Sequence, residues 1–196
     1  MPIFTSVAVR PSTAWAVVSA LECHRPPLGL VENVPDFMKW RLFPAWCEAL
    51  RAPGYALAPH VIDRADLGVP QHRERVFLAL TRSAHPVELR LDRVDHVPAS
   101  RIVDFDAGRW SPIARPGRAA ATLARIQKGR SQHGARFLTS FYGNTKGGRE
   151  LTRPIGTITT RDRWAVIDGD RIRMLSVDEA RRAMSFRADY VLPANG

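Results

Sequence analysis

Leu28-Gly29-Leu30-Val31-Glu32-Asn33-Val34-Pro35-Asp36-Phe37 decides how the rest of this chain is read. Its first four residues predict a buried strand, 28–31, that runs straight into a polar pair and a proline. A carboxylate at the mouth of an apolar strand stands where α/β folds place catalytic groups, in the crevice beyond the strand's C-terminal end. Burial there would raise the pKa of Glu32 and let it carry a proton near neutral pH. The plainer alternative makes Glu32 a solvated loop acid and Asp36 a helix cap.

Upstream of this stretch, Ala14, Val17, Val18 and Leu21 fall at helical spacing, and Arg25-Pro26-Pro27 ends the helix because proline cannot continue it. Downstream, a second helix is predicted from Asp36 to about Arg51, stopped by Pro53-Gly54. Residues 55–62 read as a strand and 63–70 as turns. Gln71-His72-Arg73-Glu74-Arg75 then leads into the apolar strand 76–80. Strand, helix, strand, loop, strand is an α/β pattern.

Beyond Ser83 the pattern loosens. Ala119–Ile126 predicts a short helix, and 137–149 sets aromatics beside a Gly/Asn/Lys loop. Arg153–Thr160 alternates apolar residues with Thr like a strand, Trp164–Ile167 reads as another, and Asp168-Gly169-Asp170 as a turn. Ser176-Val177-Asp178-Glu179 is a capping box, so a helix should run from there to about Met184. No internal repeat is present.

Hydrophobic residues at 45% and charged residues at 24% are ordinary for a globular protein, and no apolar run is long enough to span a bilayer. Cys23 and Cys47 sit in separate predicted helices, partly buried and without metal-ligand spacing, which predicts a reduced, cytoplasmic protein with no metal site. The net charge is +10. Between Arg109 and Arg163 twelve Arg and Lys face only Glu150 and Asp162, so that segment holds the whole surplus. Such a concentration suits a polyanion surface, with nucleic acid first among candidates.

Four blocks in order, VENVPDF at 31–37, GVPQHRERVFLAL at 68–80, RPIGTITTRDRWAVI at 153–167 and RMLSVDEARRAMSF at 173–186, resemble the DNA cytosine-5 methyltransferases. The resemblance covers most of residues 12–192. It implies a partial doubly wound, Rossmann-like methyltransferase sheet followed by a smaller, irregular, mostly β target-recognition region. It divides the chain into 1–83 (distal catalytic domain), 84–163 (basic, DNA-binding) and 164–196 (return to the catalytic domain).

The chemistry it implies is methyl transfer to C5 of a flipped cytosine. A cysteine thiolate adds to C6, and C5 then takes the methyl of S-adenosylmethionine. Charge pushed onto N3 and O2 needs a proton donor and a cation. By the resemblance Glu32 is the N3 partner, and Arg75 with Arg73 contacts O2 and nearby phosphate, which suits a guanidinium because it stays charged and offers a planar fork of donors. The alternative for both arginines is a salt bridge to Glu74 or Asp66. Gln71, Tyr142, Gly143, Asn144, Lys146, Arg149, Arg161 and Arg163 are the implied contacts to double-stranded DNA, the alternative for the loop 142–149 being an ordinary hairpin turn. Thr157, Thr159 and Thr160 are implied scaffolding.

The sequence departs from the family pattern in three places. It has no Phe-x-Gly-x-Gly cofactor loop, no Pro-Cys nucleophile loop and no closing Gly-Asn-x-hydrophobic-Pro segment. Neither Cys23 nor Cys47 follows a proline, so neither is the nucleophile, and no cofactor-binding residue is assigned. The expectation is therefore the distal part of a restriction–modification methyltransferase. It would be inactive alone and completed by a separate N-terminal half that carries the cysteine and most of the S-adenosylmethionine site. The other reading is a non-catalytic DNA-binding remnant of such an enzyme.

Overall fold

The structure, a computed structural model, describes residues 13–142, 147–161 and 163–191. The chain divides into two compact units, one of residues 1–63 and 74–92, the other of residues 64–73 and 93–196. Helices and strands are mixed, as the α/β reading requires.

In the first unit, helix α1 (Trp15–His24) precedes β1 (Leu28–Asn33), helix α2 (Phe43–Arg51), β2 (Ala56–Asp63) and β3 (Glu74–Thr81). Arg25 takes a left-handed conformation (φ 45°) and Pro26 follows, so α1 stops there. The helix expected from Asp36 to Arg51 is broken in two. Pro35–Lys39 is a 3-10 turn, Trp40 is extended, and α2 starts only at Phe43. Pro44 explains the break: in a continuous helix its ring would clash with the carbonyl of Trp40, four residues back.

The sheet order is β1-β3-β2 and both pairings are antiparallel. β1 and β2 therefore run the same way, joined across α2, with β3 inserted between them. The α/β class holds, but the hydrogen-bonded neighbours are not the parallel ones a doubly wound sheet suggests. The reason is that β3 turns back directly onto β2. Trp46, Leu50, Tyr55, Leu78 and Leu80 form the core with Leu21 and Phe37. The Trp46 indole N–H donates to the Ala14 carbonyl at 2.9 Å and Tyr55 OH to the Pro26 carbonyl at 2.7 Å, so both polar tips are satisfied inside the unit.

β1 was expected to be buried and is not. Leu28 and Leu30 are 61% and 46% exposed, on an edge strand that has no second neighbour among the described residues.

The second unit holds a five-stranded antiparallel sheet in the order β4-β8-β7-β5-β6, formed by β4 (Ser111–Pro112), β5 (Arg136–Ser140), β6 (Gly148–Arg149), β7 (Trp164–Asp168) and β8 (Arg171–Met174). Helix α3 (Ala120–His133) lies on one face. It is longer than the 119–126 expected, because Gly129 lets it continue where a side chain could not fit: a Cβ there would come 2.3 Å from the Phe137 ring. It ends at Gly134 (φ 79°).

The other face is covered by Ile102, Val103, Ile155 and Ala183 of helix α4 (Val177–Ala183). Residues 153–160, expected as a strand, make only a single parallel bridge, Gln71 to Ile155. Pro154 removes one ladder donor there. Residues 164–191, expected to return to the catalytic region, share the core of this second unit.

α4 starts with the capping box that its sequence predicts: Ser176 Oγ accepts from the Glu179 N–H, and Glu179 accepts from the Ser176 N–H. Glu179 does more than cap. It is fully buried and bidentate with Arg173 (2.6 and 2.7 Å), and it also accepts from the Asp104 N–H at 2.8 Å. Burial pushes its carboxyl up. The Arg173 guanidinium and the two backbone N–H groups more than reverse this and hold it below the usual carboxylate range.

Candidate active-site pair and nucleic-acid surface

In the first unit, Glu32 sits one residue from the end of β1, and Arg75 one residue into β3. The antiparallel register Glu32↔Phe77 and Asn33↔Val76 brings the two to the same end of the sheet. Arg75 Nε donates to Glu32 Oε1 at 2.8 Å, and its Nη1 donates to the Glu74 carbonyl at 2.7 Å. The salt bridges considered for Arg75 are not made, because only the backbone of Glu74 is used. Asp66, in the second unit, is held by His96 at 2.9 Å and Arg93 at 3.5 Å. Glu32 is part-buried. Its side chain is 30% exposed, against 15% for Arg75, so the pair opens to solvent on one side.

Asn33 is buried, and its Oδ1 accepts the Val34 N–H at 2.8 Å, which fixes the turn out of β1. The result is one acceptor or acid (Glu32) and one fixed cationic donor (Arg75) side by side. That set can take both a ring nitrogen and an adjacent carbonyl oxygen. Arg73 belongs to the second unit and is part-exposed.

Neither cysteine is placed as a nucleophile. Cys47 lies inside α2 and is buried, and burial pushes its thiol up, away from the thiolate form. Cys23 lies in the last turn of α1 and is exposed, not partly buried as expected.

In the second unit, Ser140, Tyr142, Arg149, Thr157, Thr159 and Trp164 line a cleft of about 370 Å³. Tyr142 OH donates to the Thr157 carbonyl at 2.7 Å, and the Trp164 indole N–H donates to the same carbonyl at 3.2 Å. The two rings meet edge to face at 6.2 Å. Thr157 Oγ1 in turn donates to the His72 carbonyl at 3.0 Å, and Thr159 Oγ1 to the Arg161 carbonyl at 3.2 Å. Arg163 stacks over Tyr142 at 5.8 Å and donates to the Phe141 carbonyl. Arg161 is exposed. Burial, and then the neighbouring Arg153, pull the Arg149 guanidinium below its ordinary value.

Tyr142, Arg149 and Arg163 are thus brought together. Gln71 is not. It is fully buried, and its backbone rather than its side chain is in use, in the bridge to Ile155. Neither polar atom of its side-chain amide has a hydrogen-bond partner among the described residues. Gly143, Asn144 and Lys146 lie outside the described residues. Sequence reading missed Trp164 as a cleft wall, since its apolar neighbours marked it only as core. It also missed Arg173–Glu179, because nothing in the spacing shows that both charges are buried.

The donor set does not fit S-adenosylmethionine. Among the described residues no glycine-rich turn joins a strand to a helix. The first unit's surface groove, about 530 Å³, has Arg51 as its only charged liner and no carboxylate to take the ribose hydroxyls or the amino group. No described cluster of His, Cys, Asp or Glu could hold a metal, and no described helix is long and apolar enough to cross a membrane.

The family model for C-5 cytosine-specific DNA methylase matches residues 8–196. Among solved structures, a chain described as a DNA modification methyltransferase encoded within an E. coli prophage is similar with a TM-score of 0.54 at 12% identity, over 90% of this chain and 64% of that one. A DNMT2 variant of Spodoptera frugiperda gives 0.52 at 14% identity, over 98% and 67%. The Entamoeba histolytica methyltransferase EhMeth gives 0.49 at 16%, over 88% and 57%. The chain thus spans about three fifths of the length of these structures, and for the prophage and Spodoptera frugiperda chains the likeness is one of fold. No curated protein matches.

Proposed function

The chain belongs to the C-5 cytosine-specific DNA methylase family, and from that premise we propose that it supplies the base-activating pair and the DNA-reading surface for methyl transfer to C5 of a flipped cytosine. The carrying observation is the Glu32–Arg75 contact at the end of β1. When the base enters, the Arg75 N–H moves from Glu32 to O2, and Glu32, released from that ion pair, takes a proton from solvent and passes it to N3. Charge pushed onto the ring by thiolate addition at C6 is then met at both atoms. Fixed donors aimed at developing charge are the usual source of such stabilisation. Arg73, in the second unit, is proposed by itself as a phosphate contact.

Neither cysteine of this sequence suits the addition step, so the thiolate comes from outside these residues. A cysteine-bearing N-terminal half, whether on the same protein or on another, is the proposed source, and it would also hold the methyl donor, S-adenosylmethionine. The exposed edge of β1 supports such a partner, since an unpaired strand edge with Leu28 and Leu30 exposed is a template for further pairing. Double-stranded DNA is the substrate in this reading, bound by the basic second unit through Tyr142, Arg149, Arg161 and Arg163 in a cytoplasmic restriction–modification setting.

The test is reconstitution. Mixing the chain with a cysteine-bearing N-terminal half should restore methyl transfer to duplex DNA, and Glu32→Gln should lower it by about a hundredfold or more. Full activity of a reconstituted Glu32→Gln enzyme would remove Glu32 from this role.

A second reading, a non-catalytic DNA-binding remnant, is favoured by the buried thiol of Cys47 and the helical place of Cys23. It predicts DNA binding with no methyl transfer in any mixture.

A further inference from the structure

Residues 64–73 belong to the second unit, and hydrogen bonds tie their last part to residues 155–157. The Ile155 N–H donates to the Pro70 carbonyl at 3.0 Å, and the His72 N–H donates back to the Ile155 carbonyl at 2.8 Å. These two bonds frame the parallel bridge of Gln71 with Ile155. A side chain makes the third tie: Thr157 Oγ1 donates to the His72 carbonyl at 3.0 Å. Pro70, Gln71 and Ile155 are buried, so water competes little for the bonds of the bridge.

Gln71 shows where the hold lies. Its amide is enclosed with neither polar atom paired, so at this residue only the backbone makes polar contacts. Past His72 the next backbone bond is longer, from the Arg64 N–H to the Arg73 carbonyl at 3.3 Å. The Thr157 hydroxyl is the last short tie before Arg73.

Thr157 is fixed from its other side as well. Its carbonyl accepts the Tyr142 OH at 2.7 Å and the Trp164 indole N–H at 3.2 Å. Trp164 opens β7, and Gly156 packs so closely on its ring that a Cβ there would come within 2.7 Å. One residue thus holds the sheet through its carbonyl and the segment carrying Arg73 through its hydroxyl. An arginine aimed at phosphate needs such a hold on its backbone. Its long side chain loses much freedom on ordering, and the bonds it makes are short and directional.

We propose that Thr157 is a positioning residue that keeps Arg73 in register with the five-stranded sheet, so that both meet one DNA backbone as a single surface. The proposal rests on the reading in which the second unit binds DNA and Arg73 contacts phosphate.

The experiment is a double-mutant cycle on the full chain, with duplex DNA affinity measured over a salt series. Arg73→Ala should weaken binding about tenfold, the usual worth of a charge-assisted contact, and reduce the slope of log affinity against log salt by about one. Thr157→Val keeps the shape and removes the donor. It should weaken binding by about threefold or more and lower the same slope, yet change nothing further in the Arg73→Ala background. Thr157→Ser keeps the hydroxyl and should bind like wild type. A threonine that only braces the fold would weaken both backgrounds equally, and that additivity would overturn the proposal. Wild-type binding by Thr157→Val or by Arg73→Ala would overturn it too. Amide exchange on the wild-type chain decides the matter even if Thr157→Val folds poorly. DNA should protect residues 71–73 and 155–157 together, and protection of 155–157 alone would count against the tie. Flat salt dependence of the wild-type chain would overturn the DNA-binding reading and the proposal with it.

Discussion

Arg75 donates its Nε–H to Glu32 at 2.8 Å, so the two residues that the sequence motifs single out separately are direct partners at one end of a three-stranded sheet. The pair is part-exposed, and such pairs are worth about 1 kcal/mol or less to stability. Two residues that matter little to folding and sit side by side at a strand end are available for chemistry.

In the reconstituted enzyme, Glu32→Gln and Arg75→Ala should therefore each lower kcat by about a hundredfold or more, as loss of an oxyanion-type donor does. Each should change the thermal midpoint by only a few degrees. A midpoint drop large enough to account for the lost activity would mark the pair as structural.

DNA affinity should fall steeply with salt, because the surplus of +10 lies between residues 109 and 163 and phosphate contacts release counterions. Arg161→Ala should weaken all sequences alike and reduce the slope of log affinity against log salt by about one. Fluorescence anisotropy over a salt series measures both. A flat series would sink the basic-surface reading.

Glu179→Gln should destabilise the second unit by about 3–5 kcal/mol, because it leaves Arg173 buried without its counter-charge. The pH dependence follows from the sign of the Glu179 shift. A carboxyl held low in the folded state binds its proton less readily than the same group in the unfolded chain. Its stabilisation is complete above the unfolded value of about 4.3 and is lost as the pH falls through the lower folded value. Thermal melts should be flat from about pH 7 to 5 and fall below about pH 4, with a shallower fall for Glu179→Gln. Identical acid limbs for the two proteins would exclude Glu179 as the titrating group.

Gly129→Ala should destabilise despite the better helix propensity of alanine. The gain is about 1 kcal/mol at most, whereas the new methyl would meet Phe137 at 2.3 Å, and overpacking costs about 1–3 kcal/mol. Adding Phe137→Leu should recover part of the loss. Urea midpoints of the single and double variants give the comparison, and a stabilised Gly129→Ala would show that α3 can shift freely.

A thiol reagent should label Cys23 promptly and Cys47 only on unfolding, since Cys23 is exposed and burial keeps the Cys47 thiol protonated. Mass spectrometry after timed labelling distinguishes them. Early labelling of Cys47 would reopen it as a nucleophile.

Local signals were legible in the sequence alone. The strands now seen at 56–63, 74–81 and 164–168 and the capping box at Ser176 rest on alternation and short-range hydrogen bonds, which the residue order contains. The four ordered blocks carried the family, and the charge count carried the expectation of a basic surface. Tertiary structure decided what depends on pairing across long separations. Pro44 broke a helix that looked continuous, and β3 entered between β1 and β2, which turned a parallel pattern into antiparallel neighbours. Gln71 went inside, although its motif pointed outward to DNA. Arg75 met Glu32 rather than its sequence neighbours, and Arg173 found Glu179 in a buried pair. Charges in a sequence carry no label for burial or partner. Both are fixed only when distant segments share a core, because a hydrogen bond or ion pair depends on angstroms in space and not on distance along the chain.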